Sequence, residues 1–313
     1  MNKLINRSSY SIHNLPGARI AVCAGLLLCA FGSVQAATLS YWRFEDQADG
    51  GQLEGNLGGG PFTTTADYSG NGNPLRTFDG PAGDPGINTS PTFGAGGPGA
   101  IVPQTGASST RWAYFNGTRD IYTDSTPLNS FNFTGNFTIE ASIYSDATGW
   151  KTFLGRDQGG TPGPGGQFFY QQRGDNGNLG IALLDGSGTL RVIDSGFNIA
   201  SSFTWFNTAL VSSGGTLTLY LQDNLDQSWD VVGTTTTAGG LNNSPATWTV
   251  GRGWFGGPND FWSGGIDEVR ISDTALTTDQ FLWSSPIPEP STYALFGVGA
   301  LALYLTRRKL VQR

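Results

Sequence analysis

The sequence predicts an all-β fold, a sandwich or jelly roll of two antiparallel sheets. Three observations carry this: short runs of alternating apolar and polar residues, turn signals between them, and no sustained 3.6-residue period. The 47 glycines, with many Thr, Ser and Asn residues, punctuate the alternation. Many short strands spread over about 250 residues fit one large β domain rather than two.

In chain order, the alternation marks strands at 39–44, 111–115, 137–144, 151–155, 167–172, 179–184, 190–194, 205–212, 217–222, 248–251 and 261–272. Asp175-Asn176-Gly177-Asn178, Asp185-Gly186-Ser187-Gly188 and Ser213-Gly214-Gly215 supply turns between them. Residues 47–110 are rich in Gly and Pro and weakly patterned. They read as a long loop region of the 37–285 domain, holding one or two short strands.

The two ends differ from this body. Residues 1–19 are polar, with Lys3, Arg7 and Arg19 and no acid, and 20–31 are a 12-residue apolar run. Val34-Gln35-Ala36 fits small-x-small cleavage between Ala36 and Ala37, so 1–36 reads as a secretory signal peptide. Both cysteines, Cys23 and Cys29, and the single histidine, His13, lie within it. Three of the 17 basic residues fall in this segment and four after Pro290, leaving ten against all 24 acids in between.

That composition excludes a good deal. A body without Cys or His forms no disulfide, no Ser–His or Cys–His nucleophile and no histidine zinc site. Its net charge, about −14, repels phosphate backbones and argues against nucleic acid. The acids, mostly Asp, suit a hard cation such as calcium with oxygen ligands. Carboxylate chemistry remains, above all glycoside hydrolysis by two acids.

Six stretches then follow one another: "TLSYWRFED" (38–46), "ADYSGNGNPL" (66–75), "YFNGTRDIYT" (114–123), "NFTIEASIY" (136–144), "FTWFNTALVSSGGTLTLYLQ" (203–222) and "WTVGRGWFGGPNDFWSGGIDEVRISDTALTTDQF" (248–281). Together they resemble the laminin-G-like, concanavalin A-like jelly roll across nearly all of 38–284. The resemblance implies a structural calcium between an early Phe-Glu element and a late Asp. It assigns Glu45 and Asp267 as ligands, with Asp46 and Asp67 as further candidates. Alternation in "GGIDEVRI" puts Asp267 on one face with Val269 and Ile271, and Ile266, Glu268 and Arg270 on the other. A carboxylate beside that core pair needs a cation, an arginine or loop N–H donors. For Asp67, in a Gly/Asn-rich turn, an Asx-turn serves equally.

Aromatic residues supply the candidate ligand site. Trp42, Trp205 and Trp248 sit in apolar strands and read as core. Trp254-Phe255 and Phe261-Trp262 flank "GGPND" beside Arg252 and Asp260, so Arg252, Trp254, Asp260 and Trp262 form a candidate saccharide platform. Trp150 ranks behind them, and aromatics covering the loop's own backbone are the structural alternative. The fold family includes glucanases, whose Glu-x-Asp-x-x-Glu strand is missing here: after Glu140 the next acid is Asp146. A hydrolase would have to bring separated acids such as Glu140 and Glu268 together in space.

Residues 286–313 resemble the PEP-CTERM sorting signal: Pro288-Glu289-Pro290, an apolar stretch over 291–306, then Arg307-Arg308-Lys309. The resemblance implies recognition and cutting by an exosortase-type membrane enzyme. The 16 apolar-segment residues make about 24 Å of helix against a hydrocarbon core of roughly 30 Å, short for a permanent anchor. The expectation is a secreted, non-catalytic module that touches the inner membrane transiently through this transmembrane segment. It then reaches the cell surface or an exopolysaccharide or biofilm matrix and binds polysaccharide or another matrix component. The alternatives are a carboxylate glycoside hydrolase, a purely structural matrix protein, and an unprocessed single-pass anchor.

Overall fold

The computed structural model describes residues 37–53, 64–77, 91–123, 125–157, 167–222, 228–242, 246–255 and 257–285. The expected signal segment 1–36 and the tail 286–313, with its sorting residues and the expected 291–306 span, lie outside the described residues. Among the described residues no helix is long and apolar enough to cross a membrane.

The strands are β1 (Thr38–Trp42), β2 (Thr64–Thr65), β3 (Leu75–Thr77), β4 (Thr92–Ala95), β5 (Ile101–Val102), β6 (Ala107–Ser108), β7 (Arg111–Asn116) and β8 (Ile121–Tyr122). After a single-turn helix α1 (Thr126–Asn129) come β9 (Phe137–Ser145), β10 (Lys151–Asp157), β11 (Phe168–Gln172), β12 (Asn178–Leu184), β13 (Leu190–Asn198), β14 (Phe206–Ser213), β15 (Thr216–Gln222) and β16 (Asp230–Thr236). β17 (Thr247–Val250), β18 (Gly253–Trp254), β19 (Pro258–Asn259) and β20 (Ser263–Ser272) complete the chain of strands. Two eight-stranded antiparallel sheets result. The first runs β16-β15-β14-β9-β20-β7-β4 with β1 also beside β20; the second runs β13-β12-β11-β10-β17-β8-β3-β2.

Every strand expected from alternation is present with shifted ends. The loop region 47–110 holds β2 to β6, more than the one or two short strands expected there. β16 was not legible because it is a polar edge strand, exposed along most of its length. Its Gly233 makes room for Ile193, whose Cγ2 would lie 2.4 Å from an added Cβ.

The core lies between the sheets. β9 sends Phe137, Ile139, Ala141 and Ile143 inward to meet Phe153, Phe168, Tyr170 and Trp248 from the second sheet. Trp42 and Trp248 are fully buried, as expected of core tryptophans. Trp205 is not: it is half-buried, edge-on to Trp112 at 5.7 Å and Tyr144 at 5.3 Å, above Gly265. The outer face of the first sheet is covered by a strap, 273–285. Its Leu276 and Phe281 pack on Ala209 and Val211, and Trp283 Nε1 donates to Ser142 Oγ at 2.7 Å. This cover explains why β9 is buried on both faces.

β20 lies at the centre of the first sheet and changes partners midway. Ser263–Ile266 pairs with β7, and Val269–Ser272 with β1, while β9 follows along the other side. At the changeover the register with β9 shifts between Asp267 and Arg270, and Glu268 takes a left-handed φ of 50°. A bulge of this kind resets side-chain alternation. Ile266, Val269 and Ile271 all reach the core, so Asp267 does not sit beside Val269 and Ile271 as strict alternation required. It meets Ser109 instead, with Ser109 Oγ donating at 3.0 Å.

Candidate functional site

The outer face of the second sheet carries a groove of about 450 Å³. Strand register builds its floor. Phe169, Ala182 and Val192 stand in one row across β11, β12 and β13, and Leu184 pairs with Leu190 in the next. In the row of Gln171, Gly180 and Asp194, Gly180 leaves space that the Arg173 side chain occupies, 3.0 Å from an added Cβ. Arg173 in turn lies over the Trp150 ring at 5.4 Å. Trp150 covers Gly174, whose added Cβ would fall 2.2 Å from the indole, so glycine alone admits the ring there.

The opposite wall is the β18–β19 hairpin, with Phe255, Asn259 and Asp260 facing the groove. The hairpin can lie flat on β10 because two glycines remove side chains from the contact. A Cβ on Gly155 would come 2.6 Å from the Arg252 carbonyl, and one on Gly253 would come 2.9 Å from the Phe169 ring. Thr152 N donates to the Asp260 carbonyl at 2.7 Å and fixes the hairpin's far end. Beneath the hairpin Arg252 is buried between two buried acids, with Nη1 2.7 Å from Asp120 and Nη2 3.3 Å from Asp157. Burial pushes Asp120 up to about 6 against the pull of Arg252, and raises Asp157 likewise.

Of the four residues expected to bind ligand, only Asp260 lines the groove. Trp262 is fully buried in the core, 5.3 Å from Phe153, with Nε1 donating to the Gly265 carbonyl; it presents no face to a ligand. Arg252 serves as the hairpin's internal anchor, and half-buried Trp254 lies against that guanidinium at 5.9 Å. The groove's exposed aromatics are Trp150, 42% accessible, and Phe255, 69% accessible. Gln171, Arg173 and the aliphatic floor were missed. Their signal was there in the outward-facing register of β11 to β13, where Leu190 and Val192 stand exposed on an edge strand.

The carboxylates expected to bind metal divide into two places. Asp46 accepts from Thr65 Oγ1, Ala66 N and the Tyr68 hydroxyl. Asp67 accepts from the amides of Tyr41, Ser69 and Asn73, an Asx-type turn that ties β1 to the 67–73 loop. Both are held by donors of their own; a second cluster forms at the β20 bulge. There Asp267 accepts from Ser109 Oγ and the Glu268 amide, and Glu268 from the Tyr41 hydroxyl and Arg43. Glu45 closes the cluster's rim, accepting from Thr110 N and Oγ1, each at 2.6 Å. Burial first, and then the neighbouring Glu268, holds Asp267 well above the ordinary carboxylate range. A cavity of about 460 Å³ lined by Gly96, Gly97, Gly99 and Ser109 adjoins it, and an added Gly97 Cβ would lie 3.2 Å from Asp267 Oδ2. Among the described residues no group of three or more His, Cys, Asp or Glu is placed to hold a metal ion.

The acids a hydrolase would have to bring together are each closed by their own partners. Glu140 accepts from Arg270 Nε at 2.5 Å and the Leu282 amide at 2.7 Å, buried beneath the strap. Glu268 is buried against Arg43.

No curated protein matches the sequence. Among solved structures, the binding domain of Paraclostridial Mosquitocidal Protein 1 is similar at 14% identity and TM-score 0.48, covering 77% of this chain and 50% of that one. The Ruminococcus gnavus IT-sialidase CBM40 is similar at 12% identity and TM-score 0.43, covering 55% and 94%. A SAP-like pentraxin from Limulus polyphemus is similar at 18% identity and TM-score 0.41, covering 56% and 83%. The chain thus spans about half the length of the toxin binding domain. Residues 286–309 match the PEP-CTERM protein-sorting motif, which implies export and sorting to the surface. The family model described as the concanavalin A-like lectin/glucanases superfamily matches residues 103–280, more than half of the sequence, and the chain belongs to that superfamily.

Proposed function

We propose that this protein is a secreted, non-catalytic carbohydrate-binding module, sorted by an exosortase-type enzyme to the cell surface or extracellular matrix. The observation that carries the reading is the groove over β11 to β13. Two exposed aromatic rims, Trp150 and Phe255, flank polar Gln171, Asn259 and Asp260, the combination a sugar ring needs for stacking and hydroxyl recognition. The volume falls in the range of small-ligand sites, roughly 300–1,000 Å³. The test is titration of the full chain, held in a non-sugar detergent, against a panel of soluble polysaccharides. Trp150→Ala and Phe255→Ala should each weaken binding at least tenfold. Binding that neither substitution changes would remove the groove from the function.

We also propose a structural calcium at the β20 bulge, with Asp267 and Glu45 as carboxylate ligands. Supporting it are the buried Asp267–Glu268 pair facing a single arginine and the glycine-walled cavity beside Asp267. Bound there, calcium would neutralise a carboxylate whose charged form burial disfavours. With a dissociation constant near 10⁻⁴ M, about 10 mM calcium should stabilise the fold by about 2.7 kcal/mol over chelator. Asp267→Asn should abolish the shift. Identical melting in calcium and chelator would dismiss the ion.

A further inference from the structure

We infer that the groove selects uncharged sugars bearing methyl groups, as acetyl or 6-deoxy substituents, over plain or acidic sugars. This rests on the carbohydrate-binding reading and names its ligand class. The first observation is the floor. Beyond the aromatic rims, Ala182, Leu184, Leu190 and Val192 make a continuous aliphatic wall, and Leu190 and Val192 are 61% and 44% exposed. A ring stacked between Trp150 and Phe255 projects its substituents across that wall. A hydroxyl placed there loses water without gaining a partner, whereas a methyl gains apolar contact.

The second observation is charge. Among the described residues Arg173 is the cation lining the groove, and its guanidinium already faces two carboxylates: Nε is 3.1 Å from Asp175 Oδ1 and 3.3 Å from Asp194 Oδ2. Asp260 adds another acid on the opposite wall. A uronate or sialic acid would therefore bring a carboxylate into a site whose lining cation already faces two acids and whose other lining charge, Asp260, is itself an acid already near Lys151. The glycine at 180 matters here too: it keeps Arg173 folded down across the floor toward Asp194 rather than raised into the opening.

The experiment uses matched pairs that differ in the methyl-bearing group. Chitotetraose is compared with cellotetraose, L-fucose with L-galactose, and tetragalacturonate serves as the acidic probe. Each is titrated into the full chain in a non-sugar detergent, with calorimetry and tryptophan fluorescence as readouts. One methyl buried against the wall corresponds to about fourfold in affinity, so the methyl-bearing member should bind at least fourfold tighter in at least one pair. Tetragalacturonate should bind weakest. Leu190→Ser with Val192→Thr, both at exposed positions, should lower affinity for the preferred sugar to the wild-type level for its partner. Equal affinity within both pairs, or preference for the acid, would overturn the inference while leaving the carbohydrate-binding reading in place. No binding to any probe would overturn both.

Discussion

Replacing Asp120 by asparagine should leave the protein more stable at neutral pH, although it breaks a buried ion pair. Asp120 is almost wholly buried, 2.7 Å from Arg252 Nη1 but without hydrogen-bond alignment at Oδ2, and Asp157 shares the same guanidinium. Burial outweighs the arginine and lifts its pKa from 3.8 to about 6. Between those values the folded state holds a proton that the unfolded chain has lost, so stability falls as pH rises through this window. The difference is worth about 3 kcal/mol, fully lost above pH 6. An asparagine side chain does not ionise and escapes the loss. The assay is urea unfolding of both proteins from pH 4 to 7.5. Stability of Asp120→Asn relative to wild type should climb by about 2.5 kcal/mol across that range, or roughly 5–10 °C in Tm for a domain of this size. A constant difference, or a variant that loses stability as pH rises, would refute the argument that desolvation exceeds pairing here.

Other outcomes follow from the same geometry. Glu140→Gln should destabilise by about 1–3 kcal/mol, because it leaves half-buried Arg270 at the strap without its carboxylate; denaturation should register it. Gly264→Ala should cost more than about 3 kcal/mol or prevent folding. Gly264 has φ 132°, and its added Cβ would lie 2.0 Å from the Tyr144 carbonyl in the neighbouring strand. Circular dichroism and soluble yield would reveal it.

The sheet strands with one buried face could be read because alternation is a local property: Phe137, Ile139, Ala141 and Ile143 announce β9 wherever it packs. The groove could not, because it depends on which faces the second sheet leaves uncovered. Trp262 and Trp150 belong to the same residue type, yet one lies in the core and the other on the rim. Arg252 resembled a ligand-binding arginine, but Asp120 and Asp157, 132 and 95 residues away in sequence, claim it. The reversal of Asp267 had a similar cause. A single left-handed residue, Glu268, undoes alternation in a strand that otherwise looks regular, and no spacing rule signals it.

The position of β20 has a consequence in time. Among the described residues it is the last strand in sequence but the middle of its sheet, contacting β9 on one side and β1 and β7 on the other. As the chain emerges, those three strands wait with open edges, joined by nothing until residues 263–272 arrive. Long-range closure of this kind is slow, and open edges invite wrong pairing. A chaperone that keeps the chain extended would have its greatest effect during that interval, and a truncation before residue 263 should yield aggregate rather than a smaller folded sandwich.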